Sequence, residues 1–240
     1  MITVNGVTKI FGAGTSEVRA VDNVDLEVQP GEFIIILGRS GSGKSTLLGM
    51  LAGLIRPTDG IIRIKGLDIN TLNDNQIAEL RSQEIGFVFQ FSGLIPTVTS
   101  LENVLIPTLF CPNGPGNRET ALGLLKQVGV ADRADAYPGT LSSGEMKRVA
   151  IARALINKPS ILIADEPTGD LDIATESEIM ALFRQLNSEG ITIIMVTHNP
   201  DLIPCATRTY RMTQGRMVRE PDSPLCQTLP GTRKEHKDQT

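Results

Sequence analysis

Apolar residues in this chain gather in short unbroken runs, separated by stretches with helical spacing. The runs at 33–37, 85–89, 161–164 and 191–196 are too short for helices and nearly free of polar positions, so they read as strands buried on both faces. Between and after them, 44–55, 73–81, 142–157 and 174–187 carry helical patterns with plausible starts and stops. Buried strands alternating with helices predict a parallel sheet covered on both sides. The first thirty residues instead read as β-rich, with 2–7 and 18–28 flanking a turn at Gly12 and Gly14. Pro30-Gly31 turns the chain into the 33–37 strand, 61–64 is a short β segment, and 209–218 reads as a hairpin about Gln214-Gly215.

Residues 91 to about 140 change character. Prolines at 96, 107, 112 and 115 break up helical pieces at 101–105 and 118–128. With the helix that comes next, this predicts an inserted, mostly helical subdomain over about 91–157. The last twenty residues, 221–240, are polar, bear prolines and lack apolar periodicity, which predicts a disordered tail.

At 240 residues the chain fits one large domain with an insertion. A net charge of −4 leaves no footprint for broad nucleic-acid binding and no polybasic patch for a lipid surface. Cys111, Cys205 and Cys226 have no metal-ligand spacing and read as reduced thiols. No signal peptide is expected at the N-terminus, and no apolar run approaches 18 residues. If the protein works at a membrane, another chain supplies the span.

Three segments carry chemistry. Gly38, Arg39, Ser40, Gly41, Ser42, Gly43, Lys44 and Ser45 come after a buried strand and precede a helix that opens with Thr46. That is the context of a phosphate-binding loop: glycines let N–H groups converge on phosphate oxygens, and the helix turns its positive end toward them. Lys44 adds a point charge for the terminal phosphates, and the Ser45 hydroxyl is placed to ligate Mg²⁺. The run 161–166 ends four apolar residues in Asp165 and Glu166, as a strand whose tip holds carboxylates. Asp165 would sit beside Mg²⁺ and Glu166 would polarise an attacking water. The third, Leu141-Ser-Ser-Gly-Glu-Met-Lys-Arg148, reads both as a second anion site and as a capping box between Ser142 and Glu145.

In order and spacing these segments resemble the ATP-binding cassette of ABC transporters, from residue 1 to about 220; Phe89-Gln-Phe91, Leu94-Ile-Pro-Thr97, Leu101-Glu-Asn-Val104, Glu145 and Thr168-Gly169 are most similar to the lipoprotein-release and macrolide-exporter subfamily. The resemblance extends to a Q-loop at Gly86-Phe-Val-Phe-Gln90, a D-loop at 167–172 and a histidine switch at Val196-Thr-His198. It implies an α/β P-loop NTPase (RecA-like) core with a mostly parallel sheet, an N-terminal antiparallel β subdomain and the inserted helical subdomain. It implies that Phe11 stacks on adenine, Val18 packs near the ribose, Gln90 reaches Mg²⁺ and the attacking water, and His198 hydrogen-bonds the γ-phosphate. The catalytic set would be Lys44, Gln90, Glu166 and His198, with Ser45, Gln90 and Asp165 around the metal.

The resemblance also assigns Ser142, Ser143 and Gly144, with Glu145 and Asp172, to a nucleotide held by a second cassette. One phosphate loop and one signature per chain then require two chains, expected to be two copies, head to tail around two ATP. The expected role is ATP hydrolysis that drives an integral membrane permease subunit from the cytoplasmic face of the inner membrane, with no nucleic-acid partner. A division-type relative uses similar ATP cycling to pass a signal across the membrane without transport, and that reading stays open. Ser143 departs from the family's second glycine and could crowd a phosphate. Met146 and Lys147 replace the commoner glutamines and are expected on the helix surface, with little consequence. Arg39 stands at a variable position.

Overall fold

A computed structural model describes residues 1–12, 14–111 and 114–221. The expected tail from 222 onward, Cys226 and the two prolyl-loop residues 112 and 113 lie outside the described residues.

Two sheets form. The first joins β1 (Ile2–Phe11), β2 (Val18–Val28), β4 (Asp59–Ile64) and β5 (Leu67–Asp68) in the order β2-β1-β4-β5, all antiparallel. The second takes β3 (Phe33–Leu37), β6 (Ile85–Val88), β7 (Ile161–Asp165), β8 (Thr192–Thr197), β9 (Arg208–Thr213) and β10 (Arg216–Arg219) in the order β10-β9-β3-β8-β7-β6. All its pairs are parallel except the β9–β10 hairpin. That hairpin turns at Gln214 and Gly215, at φ 49° and 81°, two left-handed residues of the kind tight hairpins need.

The apolar runs alternate between two cores, one on each face of the parallel sheet. Phe33, Ile35, Leu37, Leu162, Ala164, Ile193 and Met195 enter one cluster; Ile34, Ile36, Ile161, Ile163, Ile194 and Val196 enter the other. Period-two side chains thus need apolar residues at every position, which is why these strands carry no polar face. On the second face, α1 (Lys44–Leu51) is sandwiched between the parallel sheet and the antiparallel sheet through Leu47, Leu48, Met50 and Leu51, all buried. The first face is covered by α3 (Ser100–Leu105), α4 (Arg118–Gln127), α5 (Ser143–Leu155) and α6 (Ile173–Ser188). α2 (Asp74–Glu84) precedes β6, starting from an Asn73 capping box.

One helix end differs from expectation, and one strand was not expected. The α1 helix stops at Leu51, one turn before residue 55. Gly53 takes φ 63°, and the Leu54 and Ile55 amides both donate back to the Gly49 carbonyl, at 2.8 and 3.1 Å. The two-residue strand β5 carries no sequence signal.

Strand register decides which residues meet at the sheet edge. Leu37 stands beside Thr197, Asp165 beside Val196, and Val88 beside Ala164. The next residues, Gly38, Glu166, His198 and Phe89-Gln90, therefore emerge together at the carboxyl edge of the parallel strands, where such sheets bind ligands.

Candidate nucleotide site

The loop between β3 and α1 wraps the start of α1. Lys44, 5% exposed, folds back across it and donates to the carbonyls of Gly38 (2.7 Å) and Arg39 (3.1 Å). Gly41 and Gly43 both take left-handed backbone, at φ 76° and 104°. At Gly38 an added Cβ would lie 2.6 Å from both the Met212 carbonyl and the Ser42 hydroxyl, so side-chain-free backbone is required there.

Glu166 comes directly after β7 with φ 45°, a left-handed conformation rare for a long side chain. Its amide is held by the Val196 carbonyl at 3.0 Å. This turn aims the carboxylate between two candidate phosphate ligands: Oε1 is 3.4 Å from Lys44 Nζ and Oε2 is 2.6 Å from His198 Nδ1. The carboxylate is mostly buried, while the His198 ring is 63% exposed at the mouth.

Val18, Arg39–Thr46, Gln90, Glu166 and His198 line one cleft of about 680 Å³. The structure therefore brings together the phosphate loop and the Gln90, Glu166 and His198 side chains. Phe11 pairs with Val18 at the end of β1, with Lys9 Nζ 5.1 Å over its ring, and does not line the cleft.

The remaining candidates form a second group. Ser142 caps α5, and its capping box with Glu145 is present; Glu145 also meets Arg133 at 2.8 Å. The Ser142 amide and, after it, Arg133 hold Glu145 below the usual carboxylate range. Asp172 caps α6, and the Thr175 hydroxyl and amide hold its carboxyl low in the same way. A Cβ at Gly144 would lie 2.7 Å from Thr175 Cγ2, so the starts of α5 and α6 meet closely. Ser142 and Ser143 are exposed there, and none of this group lines the cleft.

Asp165 lies behind the cleft. Burial pushes its carboxyl above the ordinary range, and the Glu166 charge adds to this; the Ser45 hydroxyl, Lys44 and Lys147 pull the other way. Its Oδ1 is buried without a hydrogen-bond partner. Ser45, Gln90 and Asp165 make an all-oxygen donor set of the kind a hard divalent cation takes, and an orphaned buried carboxylate oxygen suits that role. These residues fit Mg²⁺. A carboxyl raised in the folded state binds its proton more tightly than in the unfolded chain, so its ionisation costs stability as pH rises through that range. Asp165→Asn is therefore expected to raise the melting temperature of the nucleotide-free protein at pH 7 by roughly 2–4 °C, while removing Mg²⁺-dependent hydrolysis. Calorimetry should find the gain shrinking toward pH 3; a lower melting temperature at pH 7 would contradict it.

Lys147 overturns an expectation. It is not on the helix surface but 5% exposed, and its Nζ donates to the Gln90 carbonyl, with the Phe89 carbonyl at 3.4 Å. Burial pulls its ammonium below the ordinary lysine range, against the charges of Asp170 and Asp165.

The chain is similar to known proteins in sequence and in fold. The family model described as ABC transporter matches residues 21–169. The macrolide export ATP-binding/permease protein MacB of Rhodopirellula baltica is 44% identical over 224 residues, covering 92% of this chain and 33% of that protein. The chain spans about a third of the length of these export relatives. The uncharacterized ABC transporter ATP-binding protein YvrO of Bacillus subtilis is 44% identical over 219 residues, 91% of this chain and 96% of its own length. The dimeric, post-hydrolysis structure of the ATP-binding cassette MJ0796 bound to ADP and Pi matches with a TM-score of 0.86 at 39% identity, covering 92% of this chain and 98% of that one. The chain belongs to the ABC transporter family.

Proposed function

We propose that this chain is the motor subunit of a membrane transporter of the lipoprotein-release or macrolide-export type, working peripherally at the cytoplasmic face of the inner membrane. One observation carries the reading: two adjacent residues open onto two different cavities. Gln90 lines the nucleotide cleft, while Phe89 lines an apolar groove of about 670 Å³ with Phe87, Ile106, Phe110 and Arg153. Phe110 is 73% exposed in that groove. Apolar surface of this kind suits a partner helix, here a short cytoplasmic helix of a permease. No helix among the described residues is long and apolar enough to cross a membrane.

In this mechanism the loop amides, the α1 N-terminus and Lys44 bind the β- and γ-phosphates. Glu166 then exchanges Lys44 for the attacking water and takes its proton as the water oxygen bonds to the γ-phosphorus and the bond to the bridging β-phosphate oxygen breaks, leaving ADP and phosphate. His198 donates to the γ-phosphate, Val18 flanks the ribose, and Phe11, outside the cleft but paired with Val18, would stack on an adenine that reaches past Val18. Ser45, Gln90 and Asp165 would hold Mg²⁺, which neutralises charge building on the phosphate oxygens. Ser142, Ser143, Gly144, Glu145 and Asp172 lie outside this chain's cleft, which supports their serving the nucleotide of a second copy. Two copies closing over two ATP and reopening after hydrolysis would move the permease.

The groove supplies the test. Phe110→Asp places a charge in an apolar contact and is expected to weaken binding of the detergent-solubilised permease part of a macrolide-export relative by roughly thirtyfold. Hydrolysis by the isolated chain should stay at the wild-type rate. Undiminished permease binding would exclude the groove as the docking site.

A further inference from the structure

The signature helix is fastened to the segment after β6 from one side of α5. Lys147 donates to the Gln90 carbonyl and lies 3.4 Å from the Phe89 carbonyl. Six residues on, Arg153 donates to the carbonyls of Ser92 and Gly93, both at 2.7 Å. The Ser92 hydroxyl reaches Met146 Sδ at 4.0 Å. Backbone that belongs to no strand or helix is thus held at three points by one helix. A buried ammonium is costly, and the fields of Asp170 and Asp165 favour the Lys147 charge against that burial. A residue kept at such cost, where an uncharged amide donor would also reach a carbonyl, points to a use beyond packing.

We infer that Lys147 is a positioning residue for hydrolysis: by gripping the Phe89 and Gln90 carbonyls, it fixes the backbone from which Gln90 faces the nucleotide. The start of the signature helix and Gln90 then shift as one piece. Arg153 anchors the far end of the same segment, beside the apolar groove. The inference rests on the ATP-hydrolysis reading and adds the residue that couples its parts.

The experiment compares wild type with Lys147→Met, which keeps length and removes donor and charge, and Lys147→Gln, which keeps a donor only. In the nucleotide-free chain, amide hydrogen exchange over 89–93 should rise roughly tenfold in Lys147→Met, with the α5 core amides unchanged. With ATP·Mg²⁺, kcat should fall roughly ten- to a hundredfold while ATP affinity stays within about twofold. Lys147→Gln should fall between the two. Adding Gln90→Ala to Lys147→Met should cost little more than either change alone, because both act through one side chain. Wild-type exchange and wild-type kcat in Lys147→Met would overturn the inference, as would losses that multiply fully in the double variant. If Lys147→Met does not fold, the same readouts on Lys147→Gln decide. A wild-type chain that binds ATP but never turns it over would sink the hydrolysis reading instead, and the exchange measurement would still decide the role of Lys147.

Discussion

Glu166→Gln is expected to reduce ATP turnover by at least about a hundredfold while leaving ATP binding intact. The carboxylate stands 3.4 Å from Lys44 and 2.6 Å from His198, on a residue whose left-handed backbone, φ 45°, aims it into the cleft. Glutamine keeps the size and the backbone but has no basic oxygen to accept a proton from water. It also removes the charge that competes with phosphate for Lys44. Lys44 keeps its two carbonyl bonds, at 2.7 and 3.1 Å, so the loop should hold its shape. ATP affinity should therefore match or exceed that of wild type. Phosphate release gives kcat and equilibrium binding gives affinity. Turnover within about tenfold of wild type would place the base elsewhere.

The second large effect is structural. Gly43 caps α1 at φ 104°, and a Cβ there would lie 2.1 Å from the Ala20 carbonyl and 2.8 Å from Met212 Cε. The Ala20 contact is backbone of β2 and cannot swing away. Gly43→Ala combines left-handed strain with a clash and is expected to cost about 2–4 kcal/mol, lowering the melting temperature by roughly 5–15 °C. The amides at the start of α1 would shift with it, so ATP binding should be lost. Gly41→Ala is the matched control. Its φ is 76°, but nothing lies within 4 Å of the added Cβ, so only strain of about 1 kcal/mol applies. Equal losses in the two variants would show that strain alone governs the loop.

The parts of this molecule that could be read from its residues are those whose physics is local. A strand buried on both faces must be apolar throughout, so 33–37 and 161–164 announced themselves and did form the centre of a parallel sheet. A glycine-rich loop between such a strand and a helix has few other uses. The capping box at Ser142 and Glu145 spans four residues and is present. What stayed hidden depends on distant neighbours. Lys147 looks like a surface lysine until the fold lays the Phe89 and Gln90 carbonyls, 58 and 57 residues away, against its helix. The left-handed turn at Glu166 is likewise invisible in a string of residue types. It is held by the hydrogen bond that the Glu166 amide donates to the Val196 carbonyl on a neighbouring strand. The early end of α1 could have been suspected from Gly53, whose left-handed backbone closes the helix.

The central claim, that a working site is shared between two chains, is tested most directly by the rate of ATP hydrolysis per chain as chain concentration rises, with Glu166→Gln run beside it. The exposed Ser142 and Ser143 lie outside this chain's own cleft, so the per-chain rate should climb with concentration and then level, with no turnover in Glu166→Gln. A per-chain rate that is constant from the lowest concentration, in a chain shown to be monomeric, would contradict it.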